Sequence, residues 1–461
     1  MGAAESILTQ SDERAFLGHP KGLFYLAFTE AWERFSYYGM TALLVLYMVN
    51  QALLPGHLEN IAGFAGFRSA IESLAGPQST QALASRIFGL YSGFVYFTPM
   101  LGGLIADRWI GQRNAVVIGA LLMSGGHIAM AFEQSLLLAL FLLVTGSGFL
   151  KGNISAQVGS LYPRDDEARR THAFTIFSTG INIGAVMGPL VCGLLAQVYG
   201  WHYGFGVAGL FMLAGLATYL YGYRYLPARV ASSERQTANL TAREWYTTLG
   251  VIAVIVITIF QSISQYQEFN VFPVWIQQHV ARQVGGYTIP IPWYFSLESL
   301  TSILVAPLLF LLWRWQELRR SEPGDLSKIG IGAGLAVVTN LFLVVPILVS
   351  PGARIHPLWP ALYCVGTGIS FMYYWPTTLA LVSRAAPAKV NATLLGIAYM
   401  SLFVSNNVIG WIGGFYERMT PAAFWALHAA IAAAGGLVVL LLGRWLGRVL
   451  RADSPTASPA A

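Results

Sequence analysis

The chain has 461 residues, of which 55% are hydrophobic and 10% are charged, and its formal net charge is +6. Soluble domains carry about 25% charged residues, so this composition excludes a soluble enzyme and indicates an integral membrane protein. The small positive charge does not require a nucleic-acid partner. Only two cysteines occur, Cys192 and Cys364, and both lie in apolar stretches, so a disulfide framework is not expected.

Twelve apolar stretches are each long enough to cross a membrane. A hydrocarbon core of about 30 Å takes about 20 residues of helix, and such runs occur as six before and six after a polar stretch. We therefore predict an all-α membrane protein with twelve transmembrane helices. The predicted spans are residues 22–49, 87–106, 114–132, 136–161, 173–198, 202–223, 246–278, 291–313, 329–350, 358–383, 391–416 and 422–443.

The distribution of Lys and Arg predicts the orientation. Cytoplasmic loops carry an excess of these residues, and most of the 27 in this chain fall on the side of the two termini. Both termini are therefore expected in the cytoplasm, and the long outer loop 50–86 has room for a short helix. The predicted parts are a cytoplasmic N-terminal segment (1–21), an N-terminal six-helix bundle (22–224), a cytoplasmic linker (225–245), a C-terminal six-helix bundle (246–444) and a cytoplasmic tail (445–461).

Charged residues occur inside the predicted spans. Glu30, Glu33 and Arg34 lie in the first span, and Lys151 lies in the fourth. Glu30 and Arg34 are four residues apart, so their side chains share one face of a helix. An ionisable side chain at bilayer depth costs at least a few kcal/mol and by default marks an ion or substrate pathway. The alternative is a static buried network that only fixes helix packing.

The loop between the second and third spans has a distinctive pattern. It reads Gly102-Gly-Leu-Ile-Ala-Asp107-Arg108-Trp-Ile-Gly111-Gln-Arg113, which resembles the signature loop of the major facilitator superfamily. The resemblance implies two six-helix halves that rock around a central site. The polar linker between the sixth and seventh spans agrees with that division.

The first span narrows the resemblance. It contains Glu30-Ala-Trp-Glu33-Arg34-Phe35-Ser-Tyr37-Tyr38-Gly39, which resembles the E-x-x-E-R-F-x-Y-Y-G string of the proton-dependent oligopeptide transporter (POT) family. Further similar fragments are Lys151-Gly-Asn153 in the fourth span and Phe177-Ser-Thr-Gly-Ile-Asn182-Ile-Gly184 in the fifth. The resemblance implies a divergent bacterial member, a monomer of the inner membrane that imports di- or tripeptides, or peptide-like substrates, with protons and no other cofactor.

The resemblance also implies site residues. A free peptide offers an ammonium, a carboxylate and amides, so its site needs fixed charges of both signs, and aromatic walls accept variable side chains. A protonated acid frees its basic partner for another anion. The implied proton-coupling residues are Glu30, Glu33, Arg34 and Lys151, and the implied substrate-binding residues of this half are Arg34, Tyr37, Tyr38, Tyr96, Lys151 and Asn182.

The chain departs from the family pattern at two paired positions. Thr41 stands where the family commonly has arginine, and Gln265 aligns with its usual acidic partner on the seventh helix. Both partners of the salt bridge at the family's outer gate are therefore expected to be absent. Their joint absence avoids leaving one buried charge unpaired. Gln265 and Gln267 are instead expected to line the substrate site.

A second departure suggests a relocated acid. Phe371 stands where the tenth helix of the family presents a glutamate, while Glu298 occurs on the eighth helix. We hypothesise that Glu298 takes over as the carboxylate facing Lys151, so that Glu298 and Phe371 join the site. Glu298 and the nearby Glu268 could instead face an aqueous vestibule.

Three other functions stay open from the residues. The first is a transporter of the same fold for a specialised non-peptide metabolite or organic anion, which the altered positions favour. The second is an exporter of amphipathic drugs. A membrane enzyme or receptor is disfavoured, since the sequence shows no nucleophile and base pair, no metal-ligand spacing and no nucleotide-binding P-loop.

Overall fold

The computed structural model describes residues 15–16, 18–163, 166–226 and 240–451, which are almost entirely helical. Two hairpins of two-residue strands, Ala15–Phe16 with His19–Pro20 and Gln283–Val284 with Tyr287–Thr288, also occur among these residues, together with short 3₁₀ and π-helical segments. The fourteen α-helices are α1 (Lys21–Tyr47), α2 (Phe64–Ala75), α3 (Thr80–Ile105), α4 (Gln112–Ala129), α5 (Leu136–Ser160), α6 (Glu167–Tyr199), α7 (Trp201–Gly222), α8 (Ala242–Tyr266), α9 (Phe272–His279), α10 (Trp293–Leu318), α11 (Asp325–Val349), α12 (Leu358–Ala385), α13 (Asn391–Gly413) and α14 (Pro421–Arg451).

The helical membrane architecture confirms the prediction of an all-α membrane protein. Within the described ranges, eleven predicted spans each fall on one long helix, and the seventh covers the long α8 and the short α9; α2 is the other short helix. Nine helices in the described ranges are apolar and long enough to cross a membrane. Helices are the expected form because the hydrocarbon core offers no water to backbone N–H and C=O groups.

The seventh span is not the continuous helix that the sequence predicted over 246–278. α8 ends at Tyr266, a 3₁₀ turn covers Gln267–Phe269, and α9 starts at Phe272. Pro273 lies in the first turn of α9 and has no N–H to bond back to the preceding turn, which favours the start of a new helix there.

The outer loop and the C-terminus also refine the prediction. The expected short helix in 50–86 is confirmed as α2, while α3 begins at Thr80 rather than near residue 87. α14 continues to Arg451, so the predicted tail 445–461 starts within a helix, because its apolar residues continue the helical pattern. Most of the predicted linker, residues 227–239, lies outside the described residues, as do 1–14 and 452–461.

The chain divides into two compact units. One, called here the N-unit, comprises Met1–Thr80, Phe94–Ser232 and Pro290–Ser296. The other, the C-unit, comprises Gln81–Gly93, Ser233–Ile289 and Leu297–Ala461. The first turns of α3 thus group with the C-unit and the start of α10 with the N-unit. The bundle boundaries given by the sequence stay a prediction.

In the N-unit, α1 packs against α6 through a stripe of glycines. A Cβ on Gly184 would collide with the carbonyl oxygen of Ala31 and would lie 2.7 Å from the Cβ of Arg34. Gly188 lies against the backbone of Phe35 in the same way. Small residues at such a spacing let two membrane helices approach closely. This contact fixes the part of α1 that carries the charged residues.

In the C-unit, α8 is buried between other helices. Val254 and Ile257 of α8 pack with Ile329 of α11 and Leu446 of α14. α12 approaches α10 closely at Gly368, where an added Cβ would lie 2.7 Å from the carbonyl oxygen of Glu298. The backbone at Glu298 is therefore held against α12.

Candidate functional site

The N-unit contains a buried ion cluster on α1. Arg34 Nε lies 2.9 Å from Glu30 Oε1 and 2.5 Å from Glu33 Oε2. Glu30, Glu33 and Arg34 are 4%, 0% and 8% exposed. One buried guanidinium thus pairs with two buried carboxylates. Removal of the cation or of the acids would leave an uncompensated buried charge, which is costly.

The carboxylates of this cluster retain unused hydrogen-bonding capacity. Among the described residues, Glu30 Oε2 and both oxygens of Glu33 have no hydrogen-bond partner of regular geometry. Buried polar atoms are nearly always satisfied in folded proteins. Such atoms are therefore candidates to receive a proton or to bind a substrate ammonium.

Two cations share the ring of Tyr37. Lys151 Nζ lies 4.2 Å from the centroid of this ring, and Arg34 Cζ lies 5.5 Å from it. Lys151 also lies over Tyr96, 5.5 Å from the ring centroid, and Tyr38 packs edge-on against Tyr37 at 5.2 Å. A cation over an aromatic face is stabilised by the ring quadrupole. The predicted residues Arg34, Tyr37, Tyr38, Tyr96 and Lys151 therefore do meet.

This arrangement can couple protons to an anionic group. Glu30 and Glu33 offset the charges of Arg34 and Lys151, and in the N-unit no carboxylate forms an ion pair with Lys151 among the described residues. When one carboxyl takes a proton, a net positive charge remains beside an aromatic wall. A substrate carboxylate can then bind the released cation, so proton and substrate binding favour each other.

Asn182 lies on α6, and its side chain is exposed, unlike the buried glycine stripe of the same helix. Its role in substrate binding stays a prediction. Thr41, an altered position in this unit, is 4% exposed, and its hydroxyl has no hydrogen-bond partner among the described residues. Its burial agrees with a neutral, packed side chain in place of a charged gate.

In the C-unit, Glu298 on α10 is surrounded by neutral donors. Ser299 Oγ donates to Glu298 Oε2 at 3.2 Å, while Ser302 Oγ and Gln265 Nε2 each approach Glu298 Oε1 at 3.5 Å. Glu298 is 9% exposed. The structure thus places the predicted Gln265 beside the predicted Glu298. Their neutral surroundings leave the carboxylate without a cation in its own unit among the described residues.

The other two predicted residues of this unit are placed differently. Gln267 lies in the 3₁₀ turn after α8, is fully buried, and accepts a hydrogen bond from Asn270 Nδ2 at 3.3 Å. Phe371 on α12 packs edge-on against Tyr374 at 5.9 Å. Gln267 therefore stabilises the break in the helix, and Phe371 presents an aromatic ring where the family pattern has an acid.

Glu268 was missed as a site residue. The interpretation that it faces an aqueous vestibule is wrong, because its side chain is 0% exposed. The turn at 267–269 directs it into the C-unit, where it faces Glu298, Tyr363 and Cys364. Pro273 in the seventh predicted span was the signal that could have revealed the break.

Comparisons with known proteins show which proteins this chain resembles. The sequence pattern described as "POT family" matches residues 113–239. The chain is 27% identical to the "Peptide transporter YePEPT" of Yersinia enterocolitica over 93% of its length and 95% of that protein. It is 26% identical to the "Uncharacterized transporter YclF" of Bacillus subtilis over 97% of its length and 98% of that protein. The chain is therefore similar to peptide transporters of the POT family over nearly its whole length.

A solved structure supports the same assignment of the fold. The structure of a mutant peptide transporter POT in complex with alafosfalin superposes with a TM-score of 0.83 and 27% identity. The match covers 97% of this chain and 99% of that one. The fold and the similar proteins thus indicate a multi-pass membrane transporter rather than an enzyme, as the sequence predicted. The roles of its individual site residues stay predictions.

Proposed function

We propose that this protein is a proton-coupled symporter of the POT family that imports di- or tripeptides, or peptide-like molecules, by alternating access. In this proposal it is a monomer in a bacterial inner membrane, with twelve spans in two six-helix halves and both termini in the cytoplasm. Protons are the coupling ion, and no other cofactor is involved. The observation that carries the proposal is the buried Glu30–Glu33–Arg34 cluster, whose arginine shares the ring of Tyr37 with Lys151.

The comparisons support a peptide-like substrate. The Yersinia relative is named a peptide transporter, and the similar solved structure contains alafosfalin. The N-unit offers the groups that a small zwitterion needs, because Lys151 and Arg34 can bind a carboxylate while Glu30 and Glu33 can bind a proton or an ammonium. The ring of Tyr37 lies next to both cations, Arg34 and Lys151. It also offers an apolar surface for variable side chains.

Uptake of labelled dialanine into proteoliposomes with an inward proton gradient tests this function. We expect the wild-type protein to accumulate dialanine, and we expect Glu33→Gln to lose gradient-driven accumulation because the amide cannot exchange a proton. Glu298→Gln, measured beside it, reports whether the C-unit acid also contributes. Glu72→Gln is the matched control, since Glu72 pairs with Arg68 on α2 outside the long helices. Wild-type protein that is folded but does not accumulate dialanine would contradict the proposal.

A specialised substrate on the same scaffold is the second candidate. It is favoured by the C-unit, where Phe371 packs on Tyr374 and Gln265 contacts Glu298 in place of the acids of the family pattern. These changes remove negative charge that would bind a peptide ammonium. Competition distinguishes the two candidates, because dipeptides added in excess should suppress uptake of a peptide but not that of an unrelated organic anion.

We further propose that Glu298 acts as the carboxylate partner of Lys151 during the transport cycle. In its own unit Glu298 has only neutral donors among the described residues, and Lys151 is held over aromatic rings rather than by an ion pair. We expect Lys151→Glu and Glu298→Lys each to reduce uptake at least about 10-fold, since loss of one charged partner typically costs a few kcal/mol. The double variant, which carries both changes, should recover part of the lost uptake. Absence of any recovery in a folded double variant would contradict the pairing.

A further inference from the structure

The break after α8 forms a polar node within the C-unit. Asn270 is fully buried at this break, where Ser85 Oγ donates to its Oδ1 at 2.7 Å and its Nδ2 donates to the carbonyl oxygen of Ile409 at 3.0 Å. The side chain of Asn270 thereby ties the break to α3 and α13. In secondary transporters, interrupted membrane helices are typical of substrate and coupling-ion sites. The break is therefore a candidate binding site in its own right.

Glu268 is the ionisable group at this node. Both carboxyl oxygens are inaccessible and have no hydrogen bond of regular geometry with the described residues. The thiol of Cys364 on α12 lies against the carboxyl, and Glu298 on α10 and Tyr363 on α12 face it. Cys364 is itself fully buried. All three neighbours are neutral or negative, so none of them can offset a carboxylate charge.

The surrounding helices bring no cation to Glu268 within the described residues. Arg86 on α3 lies near Arg418 and not near Glu268. His428 on α14 is fully buried, and its Nδ1 is paired with the carbonyl oxygen of Phe424 at 2.8 Å. An ionised carboxylate without a counter-charge is very costly in such surroundings. Glu268 must therefore hold a proton in this conformation.

Glu298 supplies a route for this proton. It is 9% exposed, whereas Glu268 is 0% exposed, and the two carboxyls lie near enough to repel each other when both are ionised. Two neighbouring carboxyls in apolar surroundings cannot both ionise, so they share their protons as a coupled pair. Gln265, Ser299 and Ser302 orient Glu298, which makes it the member of the pair that can exchange with water.

We propose that Glu268 is a second proton-binding site, located in the C-unit, that exchanges its proton through Glu298 and adds one proton to the transport cycle. In this step an O–H bond of Glu298 breaks as an O–H bond of Glu268 forms, and Glu298 then takes its next proton from water. No electrons are transferred. The inference rests on the proposed proton-coupled transport, and it is separate from the Glu30–Glu33–Arg34 cluster of the N-unit.

The number of protons carried per substrate tests this proposal. The reversal potential of dialanine uptake in proteoliposomes gives that number for wild type, Glu268→Gln and Glu72→Gln. Gln is close in size and shape to a protonated glutamate but cannot exchange a carboxyl proton, so we expect dialanine uptake by Glu268→Gln to carry one proton fewer. Glu72→Gln should match wild type. A folded Glu268→Gln protein with the wild-type proton number would overturn the proposal.

Chemical labelling of the wild-type protein covers the case in which Glu268→Gln does not fold or does not transport. Dicyclohexylcarbodiimide is an apolar reagent that reacts with protonated carboxyls, and mass spectrometry locates the modified residue. We expect modification of Glu268 at neutral pH that declines as the pH is raised. No modification of Glu268 in folded protein would overturn the proposal. Because this readout needs no transport, it remains decisive if dialanine is not a substrate and the proposed function fails.

Discussion

Arg34→Ala is expected to abolish dialanine uptake and to destabilise the protein. The guanidinium lies within ion-pair distance of both Glu30 and Glu33, which are 4% and 0% exposed. Its removal leaves two buried acids without a cation, and breaking a buried ion pair from one side typically costs about 3–5 kcal/mol. We expect a loss of uptake of at least about 100-fold, which corresponds to about 2.7 kcal/mol, together with a lower unfolding temperature in detergent.

Two companion variants separate charge balance from transport. Arg34→Lys keeps one positive charge and should preserve more stability, although a single ammonium cannot reproduce the planar guanidinium. The double variant Glu33→Gln with Arg34→Ala removes one of the uncompensated acids, so it should be more stable than Arg34→Ala alone while uptake stays absent. If Arg34→Ala were as stable as wild type, the ion cluster would not have the energetic role assigned to it.

Gly184→Ala is expected to disturb the contact between α1 and α6. The added methyl group would collide with the Ala31 carbonyl oxygen and would lie 2.7 Å from both the Arg34 Cβ and the Phe35 backbone nitrogen. Backbone atoms cannot move aside without separating the helices, and overpacking costs about 1–3 kcal/mol. We expect a fall of several degrees in the unfolding temperature and reduced uptake, since Arg34 sits at the point of collision.

Gly206→Ala provides the matched control for this variant. Gly206 lies on α7 in the same unit, and a Cβ built there meets no other atom within 4 Å. The same change should therefore be neutral or slightly stabilising, because alanine favours a helix over glycine by about 1 kcal/mol. Equal unfolding temperatures for Gly184→Ala and Gly206→Ala would show that the glycine stripe does not determine the close approach of α1 and α6.

Much of the candidate site in the N-unit could be predicted from the sequence. Glu30 and Arg34 are four residues apart on one helix, so local geometry alone brings their side chains together. Burial in the membrane then makes their pairing nearly obligatory. The family pattern added Lys151 and Tyr96, and the structure places Lys151 over the rings of both Tyr37 and Tyr96. Asn182 was assigned on the pattern alone. Gly180 and Gly184 of the same helix pack against α1, whereas the side chain of Asn182 is exposed.

The C-unit was harder to predict for a physical reason. An apolar run over 246–278 satisfies the hydropathy pattern of one helix whether or not the backbone is continuous. The break at 267–271 depends on a few residues, including Pro273, and on contacts that distant helices make with the side chain of Asn270. Ser85 and Ile409 supply those contacts, and neither is near the break in sequence.

The sequence by itself determined the membrane class, the placement of the long helices and the charged cluster of α1. These features follow from composition, from a hydrocarbon core that forces the backbone into helices, and from spacing within one helix. Only the tertiary structure decided that Lys151 lies over Tyr37 and that Glu268 is sealed beside Cys364 and Glu298. Those contacts join residues far apart in the chain, and close packing between helices determines which of them meet.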